Sequence, residues 1–271
     1  MICRRVKITI LRLYFCNLRL YLIKEKSHMK TCIKREVEDY KILLRNLPTL
    51  TVVFFVLSVC LMNLFASKQF INYDYIALDC GFLLSWISFL SMDMLTKRYG
   101  AKASIKISIL AIGLNIIMSG LFWVVSIVPN NWSAFYDFND KIVNKAIDST
   151  IGGTWYVVLG SMIAFAVSAI VNCIINELIG KLSKQNSFKM YALRSYVSTA
   201  LGQFVDNMIF ALLISHNFFG WTMTQCVMCS VVGAIFELFA EMIFSPWGYK
   251  VSKKWEQTGV GQNYIDYIKN K

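Results

Sequence analysis

The stretch YALRSYVSTALGQFVDNMIFALLIS, residues 191–215, decides the fold. It is long enough to cross a bilayer, which takes about 20 apolar residues, and it carries one carboxylate, Asp206, near its middle. An ionisable side chain at bilayer depth costs about 2.5–3.5 kcal/mol on insertion scales, so its presence marks a functional position. Thr199, Gln203, Asp206 and Phe210 follow a 4-3-4 spacing, which sets them along one helical face. Such a stripe faces other helices or a water-filled cavity, not lipid. A seam that only glues helices uses Ser, Thr and Gln in the same way, but it needs no carboxylate.

Working outward, 56% hydrophobic content over 271 residues and a mean hydropathy of +0.52 exclude a soluble domain of this size. Six segments have membrane-spanning length and apolarity, at roughly 47–66, 75–96, 104–128, 155–180, 192–216 and 221–245. The apolar runs are too long and too little alternated for a parallel sheet or a barrel. The expectation is an all-α integral membrane protein with six transmembrane helices. A basic N-terminal segment, 1–46, precedes a transmembrane domain, 47–248, and a tail, 249–271, follows it.

Charge orients this bundle. Of 28 Lys and Arg, twelve precede the first segment, four follow the second (Lys97, Arg98, Lys102, Lys106), four lie between Lys181 and Arg194, and five follow the sixth. The opposite side keeps three: Lys68, Lys141 and Lys145. The positive-inside rule then puts both termini in the cytoplasm and the loop 129–153 outside. The net charge of +12 needs no nucleic-acid partner, because a basic surface facing anionic lipid accounts for it.

Residues 8–23, ITILRLYFCNLRLYLI, are interrupted by Arg12 and Arg19 and are too short to span. No small-residue cleavage site follows, so the run does not read as a signal peptide. It reads as an interfacial helix or as a dispensable or non-native tail ahead of Met29, and the second reading predicts that 1–28 can be removed. Eight cysteines are scattered, and the Cys226-x-x-Cys229 pair has no second pair and no histidine near it. His28 and His216 are isolated. No metal site follows from this pattern, and no Walker loop, GxSxG or HExxH is present. The chain reads as a non-enzyme with no cofactor.

The other polar residues at bilayer depth point to a pocket. Asn63 lies near the outer end of the first segment. Asp79, Trp86 and Asp93 recur every seven residues in the second, where Tyr99-Gly100 ends the helix and Asp93 is placed to pair with Lys97. Gly160, Ala164 and Ser168 form a small-residue ridge that Asn172 and Asn176 continue. Glu237 and Glu241 follow in the sixth segment, which Pro246 is expected to end. With Trp86, Trp155, Phe210 and Phe236 as stacking surfaces, carboxylates and amides suit a flat, nitrogen-rich heterocycle. A carboxylate accepts two parallel N–H bonds from a guanine-like edge while rings sandwich the plane. A proton-coupled carrier would use the same carboxylates as relays.

Four stretches carry a family resemblance. MDMLTKRYGAKAS (92–104), SMIAFAVSAIVNCIINEL (161–178), RSYVSTALGQFVDNMIF (194–210) and GAIFELFAEMIFSPWGY (233–249) resemble motifs of the vitamin uptake transporter family, also called the queuosine precursor transporter family. The third is the most specific, and together they cover about 45–256. The resemblance implies a bundle like the substrate-binding subunits of energy-coupling-factor transporters. It implies uptake of a 7-deazaguanine (preQ0, preQ1 or queuine base) for tRNA modification. It also implies a shared polar set of Asp93, Asn172, Arg194, Ser198, Thr199, Gln203, Asp206 and Glu237. Lys97, Asn172 and Asn207 depart from the commonest residues at their positions, which lowers the case for proton relay at Asn172.

The resulting expectation is an importer of a queuosine precursor. Asp206 is its anchor, Gln203 lies one turn away, and Asn172 or Glu237 completes a pocket bordered by Asp93, Asn63, Arg194, Ser198, Thr199, Trp86 and Phe210. Two alternatives remain open: a binding subunit for another vitamin-like heterocycle, driven by an ATPase module, and a membrane scaffold. Lipid, such a module and a second copy of the chain are its possible partners.

Overall fold

A proline sets the first boundary. Helices α1 (Ile33–Asn46) and α2 (Thr49–Phe65) meet at 109° across Leu47 and Pro48. Pro48 caps α2 at φ −70°, where its ring fits the start of a helix and its missing N–H costs nothing. The computed structural model describes residues 29, 33–129, 132, 141–152, 155–182 and 187–271. The expectations for 1–28 and for part of the 129–153 loop fall outside these residues.

After α2 comes a hairpin, β1 (Gln69–Tyr73) and β2 (Ile76–Asp79), the one sheet among the described residues. Then follow α3 (Phe82–Tyr99), α4 (Ala101–Ser126), α5 (Lys141–Ile151), α6 (Trp155–Leu182) and α7 (Phe188–Phe210). A π-turn, Ala211–Ser215, carries α7 into the single turn α8 (His216–Phe218), and α9 (Met223–Gln257) and α10 (Gln262–Lys269) complete the chain. About 84% of the described residues are helical. Among the described residues four helical stretches are long and apolar enough to cross a membrane by length and composition, or five if the bent α1–α2 pair is one span.

The burial pattern is that of a membrane protein. Large apolar side chains face outward, among them Phe54 and Leu57 on α2, Ile117 and Leu121 on α4, and Ile235 and Phe239 on α9. The interior holds, beside an apolar core around Phe55, Phe89 and Phe165, serines, amides and carboxylates, including Ser85, Asp93, Asn172, Gln203, Glu237 and Glu241. Exposed apolar surface on this scale is tolerable only against lipid. α7 lies between α6 and α9, while α3 touches α2, α4, α6 and α9. Gly202 lets α7 approach closely: an added Cβ would stand 2.8 Å from the Phe89 ring and 3.1 Å from Asn172 Cβ. Gly100 joins α3 to α4 at φ +83°, a conformation that favours glycine, and the helix ends there as expected.

Three local expectations are corrected. Asp79 does not share a helical face with Trp86 and Asp93. It ends β2, because the chain first forms the hairpin and α3 starts only at Phe82. Pro246 does not end the last helix, since α9 runs through it to Gln257; neighbouring helices let a membrane helix absorb the lost backbone bond. Asp93 is not paired with Lys97, which instead reaches Ser252 at 3.3 Å and Glu256 at 3.9 Å.

Candidate functional site

Asp206 sits on α7 one turn before the π-turn, a local widening that is frequent at functional sites. Its Oδ1 accepts a hydrogen bond from Ser168 Oγ of α6 at 2.8 Å. Around it is a cavity lined by Asn63 of α2, Asp79 and Gly81 at the end of the hairpin, Phe82 and Ser85 of α3, Ser161 of α6, Asn207 and Phe210 of α7, and Glu237 of α9. About 40 Å³ of it is open to the centres of water-sized molecules, room for a few waters at about 10–15 Å³ each.

Each wall places a polar group inward. Glu237, 2% exposed, takes the Ser85 hydroxyl on Oε1. Its Oε2 lies near the Asn207 amide but closes no well-aligned hydrogen bond. Asn63, 3% exposed, takes the Ser161 hydroxyl on Oδ1 and leaves its Nδ2 without an acceptor. Asp79 Oδ1 accepts the Gly81 N–H at 2.7 Å. Burial raises the Asp79 carboxyl to about 7; the Gly81 bond opposes this and the neighbouring Asp206 adds to it. Gln225 Nε2 of α9 donates to the Tyr73 carbonyl at 2.9 Å, so the hairpin is tied over this end of the bundle. Phe82 extends the aromatic wall, 5.3 Å from the Phe70 ring of β1 and 6.1 Å from Phe236.

A second polar cluster lies further along α7. Asp93 of α3 accepts from Asn172 Nδ2 at 2.9 Å, Ser195 Oγ at 2.5 Å, Thr199 Oγ1 at 3.3 Å and Ser198 Oγ at 3.4 Å. Ser195 Oγ also contacts Glu241 of α9. A hydroxyl has one proton to give, so Ser195 does not donate to both carboxylates at once. Arg194 donates Nε and Nη2 to Asn176 Oδ1 at 2.8 and 2.5 Å.

The eleven residues singled out from the sequence therefore separate. Asp206, Glu237, Asn63 and Phe210 line the cavity. Asp93, Asn172, Ser198 and Thr199 form the second cluster, and Arg194 lies beyond it on Asn176. Gln203, fully buried on α7 between the two groups, has both amide atoms unpartnered. Trp86 stacks on Phe244 at 4.2 Å, and Trp155 and Phe236 are largely exposed. Ser85, Ser161 and Ser195 were not singled out, although the three-residue recurrence of Ser85, Ser88 and Ser91 in an apolar helix is a readable signal of a bundle-facing stripe.

A lipid-facing helical shell around buried carboxylates and amides defines a multi-pass membrane protein with a polar internal site, the build of a small-molecule transporter. The family model described as "Putative vitamin uptake transporter" matches residues 79–251. The chain belongs to this vitamin uptake transporter family. No curated protein matches the chain, nor does any solved structure.

Proposed function

We propose that the protein imports a queuosine precursor, a 7-deazaguanine such as preQ0, preQ1 or queuine base, across the inner membrane. The observation that carries this reading is the Asp206 cavity: a carboxylate fixed by Ser168, unpaired amide capacity on Asn63 and Asn207, and the rings of Phe82 and Phe210 at its border. A guanine-type edge offers two N–H groups to one carboxylate, the pairing that charge-assisted bonds favour. Gln203, one turn away with its amide unsatisfied, serves the remaining donor and acceptor of the ring once the cavity opens. Pockets for such ligands span roughly 300–1,000 Å³, so loading requires the Phe82 and Phe210 side chains to swing aside.

In this reading α2 and α3 also cross the bilayer, giving six spans with both termini cytoplasmic and the hairpin outside, as in the binding subunits of energy-coupling-factor transporters. α2 is one turn short of a typical span, and α3 turns its serines and Asp93 into the bundle, so both depend on their neighbours. The partners are the heterocycle and the surrounding lipid. The test is binding to purified protein, and uptake by cells, measured across preQ0, preQ1, queuine and guanine. Retention of one or more deazaguanines with little guanine supports the reading; equal indifference to all four refutes it.

A further inference from the structure

Three carboxylates, Asp79, Asp206 and Glu237, line the Asp206 cavity, and no lysine, arginine or histidine lies among its lining residues. Basic groups on the surrounding elements are committed or exposed. Arg194 is held by Asn176, Lys97 by Ser252 and Glu256, and Lys68 stands exposed at the start of the hairpin. Buried carboxylates are ordinarily paired with a cation or fully hydrogen-bonded. Here Glu237 Oε2 lacks a well-aligned donor at 2% exposure. Asn63 Nδ2 is buried on the same wall without an acceptor, so the cavity presents both an unmet acceptor and an unmet donor.

We infer that the cavity takes its ligand as a cation: the substrate class is a heterocycle carrying a protonated amine, and Glu237 pairs with that amine while Asp206 reads the ring edge. This deepens the proposed function and rests on it for the ring, but the charge argument stands on the lining residues alone. Among the deazaguanines it separates preQ1 and queuine, whose alkylamines are protonated at neutral pH, from preQ0, whose nitrile is neutral. An ion pair adds charge assistance to one hydrogen bond, a difference of about 1–1.5 kcal/mol or roughly tenfold in affinity.

The experiment is equilibrium binding of preQ1 and preQ0 to purified wild type and Glu237→Gln, with pyridoxamine and pyridoxine as a second pair differing in amine against hydroxyl. The expected result is preQ1 binding about tenfold or more tighter than preQ0, with Glu237→Gln removing most of that preference. If preQ0 binds as well as preQ1, the charge inference fails while the deazaguanine reading stands. If neither deazaguanine binds but pyridoxamine is retained over pyridoxine, the substrate reading fails and the charge inference stands. Failure of every probe overturns both. Because glutamine is cheaper to insert than glutamate, loss of folding does not mask the result; circular dichroism of the variant checks this.

Discussion

Asp206→Asn is the sharpest perturbation of the site, and its cost follows from the Ser168 contact. Ser168 Oγ stands 2.8 Å from Asp206 Oδ1 and 3.1 Å from the Phe165 carbonyl. The variant amide therefore has two orientations. With its carbonyl toward Ser168, its NH2 faces the cavity and meets the N–H groups of a guanine-type edge. With its NH2 toward Ser168, the hydroxyl turns to Phe165, and one neutral oxygen remains where a carboxylate offered two charged ones. The second orientation is cheaper, yet it weakens one ligand bond by the difference between charge-assisted and neutral bonds and leaves a ligand donor unpaired. Together these cost about 2–4 kcal/mol, or roughly 30- to 1,000-fold in affinity. Titration calorimetry of preQ1 against the detergent-purified proteins reads this directly. Binding within threefold of wild type, with unchanged thermal stability, would refute the anchoring role of Asp206.

Other consequences are separable. Gly202→Ala forces a Cβ against Phe89 and Asn172 and should lower stability by about 1–3 kcal/mol, seen as a reduced thermal-shift midpoint; no change would show that α7 and α3 are less tightly packed. Asp39 of α1 binds Tyr267 at 2.7 Å and Lys271 at 2.7 Å, docking α10. Burial raises its carboxyl, but the bonds from Lys271, Tyr267 and Lys106 outweigh this and hold it below 3.8. A folded value below the unfolded one stabilises above the unfolded value and is lost as pH falls through the folded one. Proteolysis of the C-terminal tail should thus quicken below about pH 4 and, at neutral pH, in Asp39→Asn; equal rates throughout would contradict the clamp. Asp74→Cys, at the hairpin turn, should react with an impermeant maleimide in intact cells; labelling only after permeabilisation would reverse the topology.

How much of this was readable in the chain differs by feature. Long apolar runs announce a helical membrane protein because spanning length and satisfied backbone bonds leave few alternatives. The Thr199–Phe210 stripe was readable for the same reason: a 4-3-4 spacing fixes a helical face before any neighbour is known. What spacing does not carry is which stripes meet. Asp93 and Asp206 lie on different helices and read alike, yet α3 delivers Asp93 to Ser195 and Asn172 while α7 delivers Asp206 to Ser168. Asp79 was misplaced because IALD continues the apolar run of α3; only pairing with Gln69–Tyr73 makes it a strand. Pro246 read as a stop because the residues that stabilise α9 past it come from other helices. Trp155 and Phe236 read as pocket rings, but aromatic side chains serve lipid-facing surfaces equally well.

The most direct test of the account is an experimental structure of the purified protein with preQ1 bound. The account predicts the ring within hydrogen-bond distance of Asp206 and its amine beside Glu237, between α2, α3, α6, α7 and α9, with the Phe82 and Phe210 rings displaced. Ligand density elsewhere, such as the apolar groove between α4 and α6 around Trp123 and Trp155, with the Asp206 cavity still closed, would contradict it.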